Sequence, residues 1–481
     1  MERNQYKSIL KGTSVFGGVQ VVQILLNLVR GKFVALFLGP AGMGVNSLFN
    51  SASLSLQRFC SLGLNLAIVR EVADKSESEE ALKQTMTVAR RLITVTALFG
   101  LLVCAFLSTW LSRATFGNDT MQMQFVLLGV AVALGILYNG NLSIMQGVRD
   151  LKGVGRCSIA GGVAGVAVGV PLYWLWGVDG IVPAMIAMAL AMWIFSCISL
   201  RKQAGKASEF SWSRHGVIVR RLVWLGLILM AGDLFQAVAQ YLINIYVNHS
   251  GSESAVGLYQ AANSVTNQYS GMVFTALAMD YFPRLTKDAS DNVRMGATVN
   301  RQTEITSLVI APAVALLILT APLAIRILLT TEFLEVTPLM RWMGLGVLFR
   351  ALMVPMGYIT FAKGNRKLFF WMEAVMCNVL TLVLSCGFFH FFGLMGLGYA
   401  LVADNLLCLG IYYAVNSRLY GYRFSRGAAK CMLGAIILGG AVFGASLVPS
   451  TPLSYSLMTI AVIATAAWSL LLLRSRLSSR P

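Results

Sequence analysis

Charged residues are scarce in this sequence. Asp, Glu, Lys and Arg together make up 12% of its 481 residues, whereas 57% are hydrophobic and the mean hydropathy is +0.71. Soluble domains contain about 25% charged residues, so this chain has too little charge to cover a water-exposed surface of its size. The composition therefore excludes a soluble enzyme and predicts an all-α membrane protein that crosses the bilayer many times.

Several patterns that carry chemistry are absent as well. The eight cysteines form no CxxC pair and stand apart from the three histidines, so we expect neither a metal site nor a disulfide framework. The sequence has no HExxH zinc motif, no phosphate-binding P-loop and no nucleophile elbow. Its linkers reach only about twenty residues, too short for a separate catalytic domain. We therefore expect a protein that is not an enzyme and needs no cofactor, with H⁺ or Na⁺ coupling left open.

Apolar stretches long enough to span a bilayer recur fourteen times. A spanning helix needs about 20 mostly apolar residues. The predicted spans cover residues 12–38, 42–69, 86–110, 122–147, 157–176, 180–200, 221–247, 255–281, 304–329, 336–361, 368–390, 394–416, 431–449 and 454–473. The first follows three basic residues, as the core of a signal peptide would, but it is too long and lacks a small-residue cleavage site. We therefore expect it to be retained as a helix.

The basic residues lie almost entirely on one side of the predicted membrane. With the N-terminus inside, 31 of the 38 Lys and Arg residues fall in segments on the inner side, and one, Arg113, falls outside. Inner loops of membrane proteins carry such an excess. The distribution therefore accounts for most of the net charge of +18, supports the count of fourteen spans and predicts that both termini are cytoplasmic.

The two halves of the chain resemble each other. A shift of 213 residues places Gly44 on Gly257 and Asn50 on Asn263. Because each half contains six spans, the repeats have the same orientation and would be related by a pseudo-two-fold axis along the membrane normal. The predicted parts are an N-lobe of residues 1–210, a C-lobe of residues 211–420 and an addition of two helices in residues 421–481.

Polar side chains form stripes at helical spacing on four predicted spans. These stripes are Gln20, Gln23, Asn27 and Arg30 on the first; Asn46, Asn50, Ser53, Gln57 and Ser61 on the second; Asp233, Gln236, Gln240 and Asn244 on the seventh; and Gln260, Asn263 and Asn267 on the eighth. Hydrogen bonds between packed helices would explain such stripes. Their length and their recurrence in both repeats favour a central water-filled cavity, because lipid cannot solvate amides.

Charges within the predicted spans are mostly positive. The basic residues are Arg30, Lys32, Arg58, Arg326, Arg341 and Arg350, and the acidic residues are Asp233, Glu373 and Asp404. Each is costly in hydrocarbon unless it is hydrated or paired. Arg58 is the strongest candidate, since it lies about sixteen residues into its predicted span. Arg326 and Arg341 lie near outer ends, where they would reach the interface, as Glu373 would at the inner end.

A cationic cavity lined with amides suits an anionic substrate, because guanidinium groups bind phosphate in bidentate fashion. The predicted substrate-binding residues are Arg30, Lys32, Arg58, Arg350, Gln23, Asn27, Asn50, Gln57, Gln240, Gln260 and Asn263. Of these, Lys32 could equally extend to the membrane surface, and Arg350 could equally face away from the cavity. Asp233 and Asp404 are predicted to pair with other groups or to carry a coupling ion.

Several short motifs, in order along residues 10–416, resemble those of the Wzx-type O-antigen and enterobacterial common antigen translocases. These are polysaccharide flippases of the multidrug/oligosaccharidyl-lipid/polysaccharide exporter superfamily. The motifs are Gly31-Lys32 with Leu38-Gly39-Pro40-Ala41-Gly42-x-Gly44, Gln146-Gly147-x-Arg149-Asp150, Val256-Gly257-x2-Gln260, Pro283-Arg284-Leu285-Thr286, Ala362-Lys363 and Glu373-Ala374-Val375. The last two predicted spans depart from the twelve-helix members.

This resemblance implies two six-helix lobes around a cavity lined by the first, second, seventh and eighth spans. It also implies a substrate, an undecaprenyl-pyrophosphate-linked oligosaccharide such as an O-antigen repeat unit, flipped from the cytoplasmic to the outer leaflet of a bacterial inner membrane by alternating access. The pyrophosphate would meet Arg58 and Arg30. Membrane lipids are expected partners, a polysaccharide polymerase and a chain-length regulator are candidate partners, and nucleic acid is not expected.

Three alternatives are weighed against this hypothesis. A multidrug or cation antiporter of the same superfamily would be expected to have an acidic cavity, which the sequence does not show. A membrane glycosyltransferase or polymerase needs a large outer loop or an aqueous domain with paired acids, and no loop is large enough. A peptidoglycan-precursor (lipid II) flippase has the same cavity charge and stays open.

Overall fold

The computed structural model describes residues 2–75, 78–201 and 212–478, and the helix is its principal element. The α-helices are α1 (Glu2–Cys60), α2 (Leu64–Asp74), α3 (Glu79–Phe116), α4 (Gln122–Gly147), α5 (Leu151–Trp176), α6 (Ile181–Arg201), α7 (Trp212–Ser250), α8 (Glu253–Asp288), α9 (Asn292–Leu328), α10 (Thr337–Ala362), α11 (Arg366–Phe369), α12 (Cys377–Phe392), α13 (Leu394–Tyr420), α14 (Arg426–Ala445) and α15 (Thr451–Ser478). Among the described residues there is no β-strand. The predicted all-α fold class is therefore confirmed.

The fourteen predicted spans all overlap helices. Ten helical stretches of the described residues are long and apolar enough to cross a membrane. Two of these contain two spans each, because Gly18–Cys60 is kinked at Gly39 and Leu151–Arg201 is interrupted by the 3-10 turn Gly177–Gly180. The seventh predicted span overlaps the bent helix α7, which passes the same test if its two segments count as one span, and the eighth overlaps α8, which is more polar and is not among the ten.

The chain divides into two compact units, Met1–Gly257 and Leu258–Pro481. The first unit therefore includes α7 and the first turn of α8. The predicted boundary between the N-lobe and the C-lobe, at residues 210 and 211, lies outside the described residues. The lobe boundaries stay a prediction, and the two units are described separately below.

Gly39 and Pro40 divide α1 into two arms. Gly39 has φ 64° and ψ −168°, a conformation that glycine adopts without a Cβ clash. Pro40 has no N–H to continue the hydrogen bonding of the preceding helix, but its fixed φ suits the first turn of a new one. Residues 2–38 are called the first arm and residues 40–60 the second arm.

The second predicted span, residues 42–69, is shorter in the structure than expected. The second arm ends at Cys60, and the turn that follows places Leu62 at φ 50° and Gly63 at φ 65°. A Cβ on Gly63 would lie 2.1 Å from the carbonyl oxygen of Gly226, so the absence of a side chain allows α7 to approach closely. Apolar content alone did not predict this break, because the residues on both sides of it are hydrophobic.

Helix α2 begins after this turn and packs against α4 and α7. Its buried carboxylate, Glu71, accepts a hydrogen bond from Arg221 of α7 at 3.0 Å. A buried carboxylate needs such a partner. Helix α7 bends by 49° between His215–Leu227 and Gly232–Ser250, so its first segment follows α2 and its second segment follows the second arm of α1.

The two glycines that the internal repeat equates touch each other within the first unit. A Cβ on Gly44 would lie 1.8 Å from the carbonyl oxygen of Glu253, and a Cβ on Gly257 would lie 1.9 Å from the carbonyl oxygen of Pro40. Both distances are far below van der Waals contact, so the start of the second arm and the start of α8 meet backbone to backbone. Small residues allow such close helix packing in membranes.

The last two helices belong to the core of the second unit. Helices α14 and α15 pack against α9, and α14 also packs against α10. Their buried apolar residues, among them Ala435, Val442 and Met458, join one hydrophobic cluster with residues of α9 and α10. Ser469 of α15 donates a hydrogen bond to the Leu308 carbonyl at 2.5 Å. The addition to the twelve-helix pattern is therefore integrated into the second unit.

We predict that Gly44→Ala destabilises the protein, because its methyl group would overlap the Glu253 carbonyl. Overpacking of this kind costs about 1–3 kcal/mol. The measurement is the apparent melting temperature of the purified protein in detergent. Gly31→Ala is the matched control, since a Cβ there meets nothing within 4 Å. Equal melting temperatures for the two variants would contradict the close approach.

Candidate functional site

A row of polar contacts joins the second arm of α1 to α7 within the first unit. We call it the polar seam and define it by Ser51, Ser55 and Arg58 on α1 and by Asp233, Ala237, Gln240 and Asn244 on α7. The α1 positions are spaced i, i+4 and i+7, and the α7 positions i, i+4, i+7 and i+11. Each set therefore lies on one face of its helix.

The contacts of the polar seam run from a charged end to a neutral end. Arg58 Nη1 donates to Asp233 Oδ2 at 2.9 Å, and Ser55 Oγ donates to the Ala237 carbonyl at 3.0 Å. Asn244 Nδ2 then donates to Ser51 Oγ at 3.1 Å. Gln240 Nε2 donates to Asn244 Oδ1 at 3.2 Å along α7 itself. These contacts thus give the polar side chains of both helices hydrogen-bonding partners, which lipid cannot provide.

Exposure divides the polar seam into two parts. Ser51, Ser55 and Asn244 are buried, with Asn244 1% exposed. The side chains of Arg58 and Asp233 are 46% and 52% exposed. The hydroxyl and amide end is therefore a closed helix–helix contact, as the packing interpretation of the stripes predicts. The ionic end is exposed.

The C-terminal end of α1 stabilises the positive charge of Arg58. Arg58 lies in the last turn of α1, where the unsatisfied backbone carbonyls carry partial negative charge. Its position is about 27 Å along the second arm from Pro40, two residues before that arm ends at Cys60. Asp233 lies immediately after the bend of α7, which directs its carboxylate toward the last turn of α1.

The predicted polar stripe on the second span lies on a different face of α1 from the polar seam. Asn46, Ser53 and Ser61 are buried, and Asn50 and Gln57 are half-buried. Gln57 donates to Ser53 Oγ at 3.0 Å and accepts from Asn139 of α4 at 3.5 Å. This stripe therefore faces the interior of the first unit, about 125° around the helix from the polar seam.

The stripe on the first arm is more accessible. Gln20 and Asn27 are exposed, and Gln23, Arg30 and Lys32 are half-buried. Arg30 Nη2 donates to the hydroxyl of Tyr173 of α5 at 3.3 Å, and Tyr173 is 1% exposed. The buried tyrosine thus fixes the direction of the arginine side chain.

The other predicted site residues belong to the second unit. Arg350 is exposed, and its guanidinium carbon lies 5.7 Å from the ring centre of Phe274. Gln260 and Asn263 are half-buried, and Asn263 accepts from Asn267 at 2.7 Å. Asp404 is buried and accepts from Thr381 of α12 at 2.8 Å.

The structure therefore brings Arg58, Asp233 and Gln240 of the predicted set together in the polar seam. It adds Ser51, Ser55, Tyr173 and Thr381, which were not among the predicted site residues. The spacing of Ser51, Ser55 and Arg58 was a readable signal in the sequence. The contacts of Tyr173 and Thr381 join distant segments, and no local pattern indicates them.

Among the ion pairs outside the predicted spans, one lies at the C-terminal end of α3. Arg113 donates to both carboxylate oxygens of Asp119, at 2.6 and 2.7 Å. These hydrogen bonds hold the pKa of the Asp119 carboxyl below its usual range. The single basic residue predicted on the outer side is thus paired locally.

We predict that Ser51 and Asn244 are energetically coupled. In a double-mutant cycle with Ser51→Ala and Asn244→Ala, the coupling should be about 0.6 kcal/mol and at most about 2 kcal/mol, as for other hydrogen bonds between membrane helices. The measurement is the free energy of unfolding in detergent. A cycle of Ser51→Ala with Asn27→Ala, on the accessible face of the first arm, should be additive. Additivity in both cycles would contradict the contact.

Comparison with known proteins extends these observations. Residues 33–338 match the family described as polysaccharide biosynthesis protein. The curated lipid III flippase of Escherichia coli (strain K12) is 22% identical over 421 residues, which cover 84% of this chain and 98% of that protein.

Two solved structures share the fold. The lipid II flippase MurJ, in an inward closed conformation, matches with a TM-score of 0.73 and 13% identity over 97% of this chain and 99% of its own. An inward-facing multidrug resistance MATE family transporter of the MOP superfamily matches with a TM-score of 0.69 and 15% identity over 84% of this chain and 98% of its own. With this fold and a family match over more than half of its length, the chain belongs to the polysaccharide biosynthesis protein family.

Proposed function

We propose that this protein is a flippase that moves an undecaprenyl-pyrophosphate-linked oligosaccharide, such as an O-antigen repeat unit, across a bacterial inner membrane. The cargo passes from the cytoplasmic to the outer leaflet by alternating access. Membership of the polysaccharide biosynthesis family and similarity to a lipid III flippase support this proposal. The proposal includes the Wzx type of flippase and an O-antigen-like oligosaccharide as the cargo.

The observation that carries the proposal is the accessible Arg58–Asp233 pair. Arginine within a span is costly unless water or a ligand reaches it. Arg58 is about half exposed, and among the described residues its ion-pair partner is one carboxylate oxygen of Asp233. Its remaining N–H groups are therefore available to phosphate oxygens, which guanidinium binds through two parallel hydrogen bonds.

Other residues of the first unit suit the rest of the cargo. Arg30, held by Tyr173, supplies a second guanidinium. The accessible amides of Gln23 and Asn27 on the same arm suit sugar hydroxyls, which both donate and accept hydrogen bonds. The lipid tail needs no polar partner and stays in the bilayer.

A phosphate bound to these N–H groups would compete with the Asp233 carboxylate for Arg58. A pyrophosphate carries more charge and more acceptor oxygens than a carboxylate, so it competes for the guanidinium and releases Asp233. The pair thus protects Arg58 from the cost of an unpaired charge when no cargo is bound. This exchange gives Asp233 a charge-pairing role rather than an ion-carrying one.

We predict that Arg58→Ala lowers translocation of undecaprenyl-pyrophosphate-linked oligosaccharide in proteoliposomes by about ten- to a hundredfold, the loss expected for charge-assisted hydrogen bonds. Arg58→Lys should be intermediate, because lysine cannot bind in bidentate fashion. Arg326→Ala is the control, since Arg326 is exposed in the last turn of α9. Normal translocation by Arg58→Ala would remove Arg58 from the binding site.

The same assay separates this proposal from the lipid II alternative. Liposomes are loaded with either the oligosaccharide lipid or the peptidoglycan precursor, both of which carry a pyrophosphate. We expect faster movement of the oligosaccharide lipid. Preference for lipid II would favour the peptidoglycan-precursor flippase, and movement of neither lipid would contradict the proposed function.

We predict that Asp233→Asn changes the translocation rate by the same factor at every pH and Na⁺ concentration, because the carboxylate acts by pairing with Arg58. The measurement is the initial rate in proteoliposomes over a range of pH and of Na⁺. A defect that disappears at one extreme of pH or Na⁺ would indicate that Asp233 carries the coupling ion instead.

A further inference from the structure

A continuous chain of polar side chains leads from the exposed Glu373 into the core of the second unit. It consists of Glu373, Tyr412, Cys377, Cys408 and Asp404, with Thr381 beside its last member. Both ends are carboxyl groups, and all three intervening groups are hydroxyl or thiol groups that donate and accept a proton. We call these residues the carboxyl–thiol chain.

The contacts along the chain are continuous. The Tyr412 hydroxyl donates to Glu373 Oε2. Cys377 Sγ lies 3.7 Å from the Tyr412 hydroxyl and 3.7 Å from Cys408 Sγ, and Cys408 Sγ lies 3.8 Å from Asp404 Oδ1. These are hydrogen-bonding distances for sulfur, which is larger than oxygen. The other carboxylate oxygen of Asp404, Oδ2, accepts a hydrogen bond from Thr381 Oγ1 at 2.8 Å.

The middle of the chain is shielded by apolar residues. Tyr412 is 1% exposed and Cys408 3% exposed, and both belong to a hydrophobic cluster with Met356, Ile359 and Met372. Asp404 is 7% exposed. Among the described residues, the hydrogen-bond donors to the Asp404 carboxylate are a hydroxyl and a thiol.

The other end of the chain, Glu373, is exposed, and an irregular helical turn sets its position. Glu373 is exposed and lies in a π-helical segment, Phe370–Met376, between α11 and α12. Such segments are rare and occur frequently at functional sites. Asn378 Nδ2 donates to the Ala374 carbonyl at 2.8 Å, which satisfies a carbonyl of this irregular turn. Glu373 lies about 10 Å from the start of α11 at Arg366, on the inner side.

We propose that the carboxyl–thiol chain is a proton relay that connects the buried Asp404 to the accessible Glu373, and that proton exchange through it drives transport. The inference rests on the proposed function for the identity of the cargo. The relay itself is a property of residues on α12, α13 and the π-helical segment.

The proton transfer balances along the chain. The Asp404 carboxylic acid gives a proton to Cys408 Sγ, Cys408 gives its own to Cys377 Sγ, and Cys377 gives its own to the Tyr412 oxygen. Tyr412 gives its proton to the Glu373 carboxylate. The result is an Asp404 carboxylate and a Glu373 carboxylic acid, with both thiols and the phenol unchanged. The Thr381 hydroxyl then stabilises the new carboxylate of Asp404.

Two groups on α10 act on the ends of the relay. Helix α10 packs against α13, and Arg350 interacts electrostatically with Asp404 and with Tyr358. Tyr358 also interacts with Glu373. Arg350 therefore lies close enough to act on the charge that Asp404 carries when its proton has left.

The first test measures protonation without any cargo. Infrared difference spectra between acidic and alkaline buffer are recorded on the full-length protein in liposomes of inner-membrane phospholipids. We expect a carboxylic-acid band that Asp404→Asn abolishes and a second that Glu373→Gln abolishes. In Tyr412→Phe both bands should persist but titrate independently. Spectra of Asp404→Asn and Glu373→Gln that equal the wild-type spectrum would overturn the relay.

The second test measures driven transport. Proteoliposomes containing undecaprenyl-pyrophosphate-linked oligosaccharide receive a pH gradient, and a soluble glycosidase reports how much cargo faces outward. We expect the wild type to build an unequal distribution. Asp404→Asn and Tyr412→Phe should still exchange cargo between leaflets but reach only equal distribution. Asymmetry retained in Asp404→Asn, or built by a Na⁺ gradient alone, would overturn the relay.

Matched variants guard against effects on folding. Cys408→Ala interrupts the chain, whereas Cys408→Ser restores a group that donates and accepts, so the second should recover the asymmetry that the first loses. Cys386→Ala, on the same helix as Cys377 but outside the chain, should behave as wild type. Equal behaviour of the Cys408→Ala and Cys408→Ser variants would overturn the role of the thiol. If the wild type moves no cargo at all, the proposed function fails, and the infrared result still decides the relay.

Discussion

The structure depends on one constraint, the need of every polar group inside the bilayer for a partner other than lipid. Backbone groups meet it by forming helices. Side chains meet it in pairs that join different helices, such as Asn244 with Ser51 and Asp404 with Thr381. Where a polar group is accessible instead, as at Arg58, water or a ligand must take the place of that partner.

The two units meet this constraint in different ways. The first unit has an accessible guanidinium at the end of a buried seam of hydroxyl and amide groups, which suits a headgroup that is anionic and rich in hydroxyls. The second unit contains a buried carboxyl group, Asp404, next to thiol groups, and an accessible carboxylate, Glu373, at the other end of the same chain of contacts. Cargo binding and ion exchange are thus proposed for different parts of the chain, and two such sites are what coupled transport requires.

Much of the fold was predictable because hydrocarbon thickness sets a minimum helix length. All fourteen spans could be read from apolar stretches, and Arg58 and Asp233 could be recognised as candidates because charges in spans are rare. The break after Cys60 could not be read, since it depends on the close approach of Gly226 to Gly63. The last two helices had no counterpart in the repeat, and their packing on α9 gives them a place in the core of the second unit.

By itself, the sequence determined the helical fold, where the apolar stretches lie and which residues bring charge and amides into them, because these depend on composition and local spacing. Tertiary structure decided which face of each helix meets which neighbour. It placed Ser51, Ser55 and Arg58 against α7 and turned the Asn50 and Gln57 face toward the interior of the first unit. The physical reason is that a stripe specifies only the angle around one helix, whereas its partner depends on how distant segments pack.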